Sequence, residues 1–230
     1  MAPSSAPVSP PRQLALAFGH EVSYAREDFL EGPSNAAALH LVERWPDWPA
    51  HIAVLAGPEG SGKSHLAAIW ANAAGARHLS ASALDLGAVP AALATGAVVL
   101  ENVADQLDEV ALFHLLNLAN EQAGYVLLTA RRPPALWMVA LPDLRSRLRA
   151  LPVVELSAPD DALLRAVLVK LFADRQLAVD EALISYLVTR IERSVAAARA
   201  AVTLLDREAL RQKRPVTRAL AAQILDTNSE

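Results

Sequence analysis

Short apolar runs alternate with longer segments of helical periodicity through the first two thirds of the 230-residue chain. Between the runs, helical spacing of apolar positions predicts helices over residues 62–74, 108–122 and 143–149. Strands that alternate with helices in this way are typical of a parallel sheet covered by helices. We therefore predict an α/β domain over residues 21–158 with a five-stranded parallel sheet, whose strands are residues 51–56, 77–80, 97–100, 125–129 and 153–156.

The pattern changes after Pro159, where strand signals stop and only helical periodicity continues. Asp180 and Thr217 stand where helix N-caps are expected, and Pro215 separates the last two helical segments. We therefore predict a small helical lid domain over residues 159–230, with helices at 160–175, 180–192, 194–213 and 216–226.

Composition excludes several classes of protein. Hydrophobic residues make up 53% of the chain and aromatic residues 5%, which favours a helix-rich α/β protein. The net charge of −4 gives no global positive field for nucleic acid, and the lack of cysteine excludes disulfides and thiolate chemistry. No apolar run is long enough to span a bilayer, and the Ser- and Pro-rich residues 1–12 lack the pattern of a secretory signal. We expect a soluble, cytoplasmic protein.

A phosphate-binding loop is predicted between the first strand and the helix after it. Residues 57–64 fit the pattern G-x-x-x-x-G-K-[ST], here called the P-loop. Glycines allow successive backbone N–H groups to face phosphate oxygens, and the helix N-terminus adds partial positive charge. Lys63 is expected to reach the β- and γ-phosphates; the alternative is an ordinary glycine-rich turn. The residues predicted to contact the nucleotide here are Gly57, Pro58, Glu59, Gly60, Ser61, Gly62, Lys63, Ser64 and His65.

Magnesium is expected beside this loop, held by the Ser64 hydroxyl and by Glu101 at the end of the third strand. P-loop ATPases of this type normally end that strand with Asp and then Glu, whereas Glu101 is followed here by Asn102. An amide is not a useful general base. We therefore predict a protein that binds nucleotide well but hydrolyses it poorly alone. The alternative for Glu101 is a solvated loop carboxylate.

Four segments together resemble the AAA+ module of the bacterial replication initiator family DnaA. They are residues 29–35, 62–66, 129–134 and 141–148. The Arg-Pro-Pro turn and the Leu-Pro-Asp-Leu…Ser-Arg-Leu segment resemble more closely the related Hda group, the DnaA regulatory inactivators. DnaA carries a further helix-turn-helix domain for origin DNA, and the sequence ends at Glu230, just after the predicted lid. The resemblance therefore implies an AAA+ P-loop NTPase fold without the DNA-binding domain.

The resemblance also implies roles for single residues. Phe29, Leu30 and Asn35 would line the adenine pocket, and Thr129 would be sensor 1, a polar residue near the γ-phosphate. Arg147 would be the arginine finger, which acts in trans on the nucleotide of a neighbouring subunit. The alternative for Arg147 is an exposed arginine on a solvated helix.

The sensor 2 arginine of the family has no counterpart at the matching position, which is Ala196. Arg193 and Arg199 are the nearby arginines that would substitute for it, and the residues alone do not choose between them.

The N-terminal segment, residues 1–20, contains a predicted docking peptide. The hexapeptide over residues 13–18 resembles the motif by which bacterial proteins bind the DNA polymerase sliding clamp. A Gln amide would make directed hydrogen bonds while apolar side chains enter a pocket. The alternative is a strand that packs on the body of the protein. The residues predicted to contact the clamp are Gln13, Leu14, Leu16 and Phe18.

Together these features predict a negative regulator of replication initiation. With ADP or ATP and Mg²⁺ bound, it would dock on the sliding clamp and promote hydrolysis of DnaA-bound ATP through Arg147. DNA would be contacted only through the clamp, no membrane is involved, and homo-oligomers are a further prediction. The alternatives are an independent ATPase of the helicase-loader type and a clamp-tethered adaptor without effect on hydrolysis.

Overall fold

A single parallel sheet forms the centre of the computed structural model, which describes residues 24–103 and 107–227. Its strands are β1 (Ile52–Ala56), β2 (Arg77–Ser80), β3 (Ala97–Glu101), β4 (Tyr125–Ala130) and β5 (Val153–Glu155). They lie side by side in the order β2-β3-β4-β1-β5, and every neighbouring pair is parallel. The prediction of a five-stranded parallel sheet is confirmed.

Helices cover the sheet and continue beyond it. They are α1 (Ala36–Glu43), α2 (Lys63–Ala74), α3 (Val89–Ala92), α4 (Glu109–Gln122), α5 (Pro142–Ala150), α6 (Asp161–Asp174), α7 (Glu181–Arg190), α8 (Val195–Gln212) and α9 (Arg218–Thr227). The four predicted helices after Pro159 are present, each within about two residues of its predicted bounds. Helices α1 and α3 are not among the predicted elements. None of the helices in the described ranges combines the length and apolarity needed to cross a bilayer.

The helix ends follow local backbone chemistry. Helix α2 stops before Gly75, which adopts the left-handed conformation with φ +62°, so the helix ends where predicted. Helix α4 also ends at the predicted residue, Gln122, and is followed by left-handed Ala123. Gly124 serves close packing, since a Cβ there would lie 3.0 Å from a Leu93 methyl group. Side-chain caps accept an N–H from the third residue of five helices, and Asp180 and Thr217 are among them, as predicted. The caps are Asp108, Asp160, Asp180, Ser194 and Thr217.

Three apolar cores hold these elements together. Strand β1 is buried along its whole length, and its alternate side chains contribute to the cores on opposite faces of the sheet. A third core lies within helices α6–α9, here called the lid, around Leu164, Phe172 and Leu187. Leu30 packs on the lid core from the segment before α1. The domain boundary at residue 158 stays a prediction.

Candidate nucleotide-binding site

The P-loop connects β1 to α2 at the carboxyl edge of the sheet. Gly62 caps α2 in the left-handed conformation with φ +101°, so the backbone turns directly from the loop into the helix. The N-terminus of α2 therefore points its free N–H groups and partial positive charge at the loop. This is the arrangement that binds phosphate at helix N-termini.

Lys63 lies at the centre of the loop and is buried. Its Nζ donates to the carbonyls of Gly57 at 2.8 Å and Pro58 at 2.7 Å. Burial lowers the pKa of Lys63 from its ordinary value, and the charge of nearby Arg131 lowers it further. Nζ also donates to Ser61 Oγ at 3.4 Å. The ammonium group is thus desolvated and held by three neutral acceptors, and a polyphosphate is a far stronger partner for it.

Ser64 and Glu101, the two predicted magnesium ligands, lie together beside the loop. The pKa of the Glu101 carboxyl is lowered chiefly by His78, whose Nε2 lies 3.5 Å from Oε1, and the Ser64 hydroxyl adds to this. Oε1 of Glu101 is buried, and His78 Nε2 at 3.5 Å is too distant for a normal hydrogen bond, so this oxygen is unsatisfied within the described residues. A buried carboxylate oxygen of this kind suits a hard cation, so these two residues fit Mg²⁺. The described residues contain no cluster of three His, Asp or Glu side chains for a metal, so nucleotide phosphates would supply further ligands.

Asn102 and Thr129 meet where β3 and β4 end. Asn102 adopts a left-handed conformation with φ +58° and lines the cavity, and its backbone N–H donates to Thr129 Oγ1 at 3.3 Å. Thr129 itself is 1% exposed and lies beneath the cavity wall. The predicted sensor 1 hydroxyl therefore holds the backbone of Asn102 in this structure.

A cavity of about 1140 Å³ opens between the P-loop, the segment before α1, and the lid. Its volume is at the upper end of those of ordinary ligand pockets, which suits a nucleotide with its phosphates. Helices α6 and α8 supply its lid wall, which carries Leu163, Val167, Lys170, Arg199 and Arg207.

The predicted adenine-pocket residues Phe29, Leu30 and Asn35 all line this cavity. Asn35 is buried and organises the turn before α1, since its Oδ1 accepts from Gly32 N at 2.9 Å and its Nδ2 donates to Leu30 O at 3.0 Å. The Phe29 ring meets the His65 ring edge-on at 5.2 Å. The segment is thus fixed in place before any ligand binds.

His65, on the first turn of α2, joins the P-loop to the segment before α1. Its Nε2 lies 2.9 Å from the Ala25 carbonyl, which fits a neutral ring that donates through Nε2–H. Burial lowers the pKa of His65, which favours this neutral form. His65 therefore supports the cavity wall rather than adding charge to it.

The lid touches the P-loop directly. The N–H of Val195, the first residue of α8, donates to Gly60 O at 2.9 Å. Ala196, at the position that matches sensor 2, packs against the same glycine. On the other side of the cavity, Lys170 of α6 pairs with Asp28 at 2.6 Å. The lid is thus closed onto the α/β part at two places.

Four cations that line the cavity were not among the predicted contacts: Arg131, Lys170, Arg175 and Arg207. Arg207 could have been inferred only from the face of α8 on which it lies, and no local sequence signal indicates the other three. For the sensor 2 substitute, Arg199 lines the cavity, whereas Arg193 pairs with Asp161 at 2.8 Å outside it. Arg199 is therefore the better placed of the two.

Arg147 lies outside this cavity, exposed on α5. Its guanidinium stacks over the Phe113 ring at 4.9 Å and donates a short hydrogen bond to Asn117 Oδ1, both on α4. It cannot contact a nucleotide in its own chain without leaving this position. The predicted clamp-contact residues 13–18 lie outside the described residues.

Solved structures share this architecture. Domain III of the Thermotoga maritima replication initiation protein DnaA superposes with a TM-score of 0.75 at 17% identity, over 89% of this chain and 96% of that chain. The chain has the AAA+ fold. The Thermotoga maritima RuvB Holliday junction branch migration motor shares this AAA+ fold at a TM-score of 0.71 and 18% identity, over 89% and 72%. AMPPCP-bound DnaA from Aquifex aeolicus gives 0.64 and 19%, over 83% and 69%. No protein-family model matches the chain, and no curated protein matches it significantly.

Proposed function

We propose that this AAA+ protein is a cytoplasmic, nucleotide-bound negative regulator of replication initiation that stimulates ATP hydrolysis by DnaA. The observation that carries the proposal is the division between two sites. The P-loop, with buried Lys63, faces a large cavity, while Arg147 is presented on a different surface of the same chain. The DnaA domains among the structural neighbours share its fold, and the choice of DnaA as partner belongs to the proposal.

Nucleotide binding draws on groups already in position. The P-loop N–H groups and Lys63 would hold the phosphates of ADP or ATP, with Lys63 exchanging the Gly57 and Pro58 carbonyls for phosphate oxygens. Ser64 and Glu101 would hold Mg²⁺, which neutralises phosphate charge when bound. Phe29 and Leu30 offer apolar surface to the base.

Weak hydrolysis follows from Asn102. It lines the cavity at the position where a carboxylate would polarise the attacking water, and an amide does not accept that proton. The nucleotide would then act mainly to organise the protein, and chemistry would take place in the partner.

The action in trans depends on Arg147. A guanidinium that enters a neighbouring nucleotide site stabilises the charge that spreads over the transferring phosphoryl group, a contribution of about 10³-fold or more. The N-terminal segment with Gln13 and Leu16 would hold the protein on the sliding clamp, so that it meets DnaA on DNA.

The test measures hydrolysis by ATP-loaded DnaA with the clamp on DNA, with and without this protein. Arg147→Ala should lose the stimulation, whereas Arg149→Ala, an exposed arginine on the same helix, should keep it. Gln13→Ala with Leu16→Ala should lose clamp binding while nucleotide affinity is unchanged. No stimulation by the wild type would refute the proposal and favour the clamp-tethered adaptor without effect on hydrolysis. Equal stimulation by Arg147→Ala would show that Arg147 is not the arginine finger.

An independent ATPase is the second candidate, because the RuvB motor shares the fold. Turnover of ATP by the purified protein without partners distinguishes the two. A rate typical of ATPases that disappears in Lys63→Ala would favour the motor, and Asn102 argues against that result.

A further inference from the structure

Arg131 is an arginine at the phosphate end of the site. It follows the last residue of β4, Ala130, and its side chain lines the nucleotide cavity. Its Nη2 lies 3.0 Å from Oε2 of Glu59, the third residue of the P-loop. The pair is exposed, with 57% and 76% of the two side chains accessible, so that its partners can exchange readily.

The topology places Arg131 near the terminal phosphates. Strand β4 lies between β1, which leads into the P-loop, and β3, which ends at Glu101. The residue that follows β4 therefore stands between the loop and the predicted magnesium ligand. The outermost phosphates of a nucleotide must lie in this gap, because they contact both the loop and the metal.

Arg131 and Lys63 line the same cavity. An anion held there by Lys63 therefore lies within range of the charge of Arg131, which attracts it.

Glu59 has the opposite effect on a bound phosphate. A carboxylate in a phosphate-binding loop repels a polyphosphate, and its pairing with Arg131 offsets that repulsion. A guanidinium binds phosphate in a two-pronged geometry at least as well as it binds carboxylate. The additional phosphate of a triphosphate therefore competes with Glu59 for the same cation.

We infer that Arg131 is a specificity-determining residue that contacts the terminal phosphate of a nucleoside triphosphate in its own chain. It exchanges Glu59 for this phosphate and favours the triphosphate over the diphosphate. Arg199 lines the cavity from the lid, and Arg131 adds a second cation from the α/β side. The inference rests on the nucleotide binding of the proposed function and not on its partners.

Equilibrium titrations of the full chain with ADP and with AMPPCP, both with Mg²⁺, test this inference. Arg131→Ala should weaken AMPPCP binding about tenfold and ADP binding less than about threefold, as expected for loss of one charged hydrogen-bonding group. Arg131→Lys keeps the charge but loses the two-pronged geometry of the guanidinium, so its AMPPCP affinity should lie between those of the wild type and Arg131→Ala. Arg132→Ala is the matched control, because this neighbouring exposed arginine does not line the cavity.

A double-mutant cycle tests the exchange with Glu59. Glu59→Gln should tighten AMPPCP binding more in the wild type than in Arg131→Ala, because only the wild type has a guanidinium to release. Equal loss for both nucleotides in Arg131→Ala, or the same loss in Arg132→Ala, overturns the inference while nucleotide binding stands. No binding of either nucleotide by the wild type overturns both.

Discussion

The contact between the lid and the P-loop can be tested with a single methyl group at Gly60. This glycine has φ +72°, and a Cβ added to it would lie 2.6 Å from Ser194 Cβ, at the start of α8. The helix start would have to move away from the loop by about 1 Å to relieve that contact. The hydrogen bond from Val195 N to Gly60 O, 2.9 Å long, would be stretched or broken.

The expected loss of stability has two parts. An alanine in the left-handed region costs about 1–2 kcal/mol, and the stiffer unfolded chain offsets about 0.4–1 kcal/mol of this. The displaced lid adds about 0.5–1.5 kcal/mol for the hydrogen bond and about 1 kcal/mol for strain in a packed contact. Gly60→Ala should therefore lower the free energy of unfolding by about 2–4 kcal/mol.

Gly75→Ala is the matched control. Gly75 has φ +62°, and nothing lies within 4 Å of an added Cβ, so the substitution carries the backbone part alone, about 1 kcal/mol. Urea unfolding of both variants gives the two free energies, and a parallel titration with ADP shows whether a displaced lid weakens binding. If Gly60→Ala is no less stable than Gly75→Ala, the lid does not rest on the P-loop as described.

Two further predictions concern charge at the site. Burial, and then the charge of Arg131, lower the pKa of Lys63, so nucleotide affinity should fall as the pH rises towards the ordinary lysine value of 10.5, where the phosphates are already ionised. Lys63→Arg should bind nucleotide equally well from pH 7 to 10. A wild-type affinity that is also constant over this range would contradict the prediction. Glu101→Gln should reduce the gain in nucleotide affinity that magnesium provides about tenfold, while affinity measured in EDTA is unchanged. If magnesium raises the affinity of the variant as much as that of the wild type, Glu101 is not a magnesium ligand.

Local pattern was sufficient for the elements that form the base of the site. Strand β1 is an uninterrupted apolar run because both of its faces are buried, and the P-loop glycines report a backbone turn that few other residues permit. Helix α1 is absent from the predicted elements, although its buried Ala38, Leu39 and Val42 follow one helical face.

The remaining features depend on contacts between distant segments. The pairing of Arg131 with Glu59 requires β4 and β1 to be neighbours in the sheet. The sequence of neither segment predicts this strand order. Likewise, Lys170 meets Asp28 only because the lid packs against the segment before α1. Single charged residues on helices and loops carry no local signal of the partner they will meet.

The stacking of Arg147 on Phe113 bears on how fast and how firmly this surface can engage an anion. A free arginine side chain samples many rotamers and loses about 2 kcal/mol of that freedom when it is immobilised. Here the ring of Phe113 and the amide of Asn117 already restrict the guanidinium within the folded chain. A phosphate that arrives from another molecule would meet a pre-ordered cation and would need only to replace one amide acceptor, so little of the encounter's binding energy would be lost to ordering the side chain.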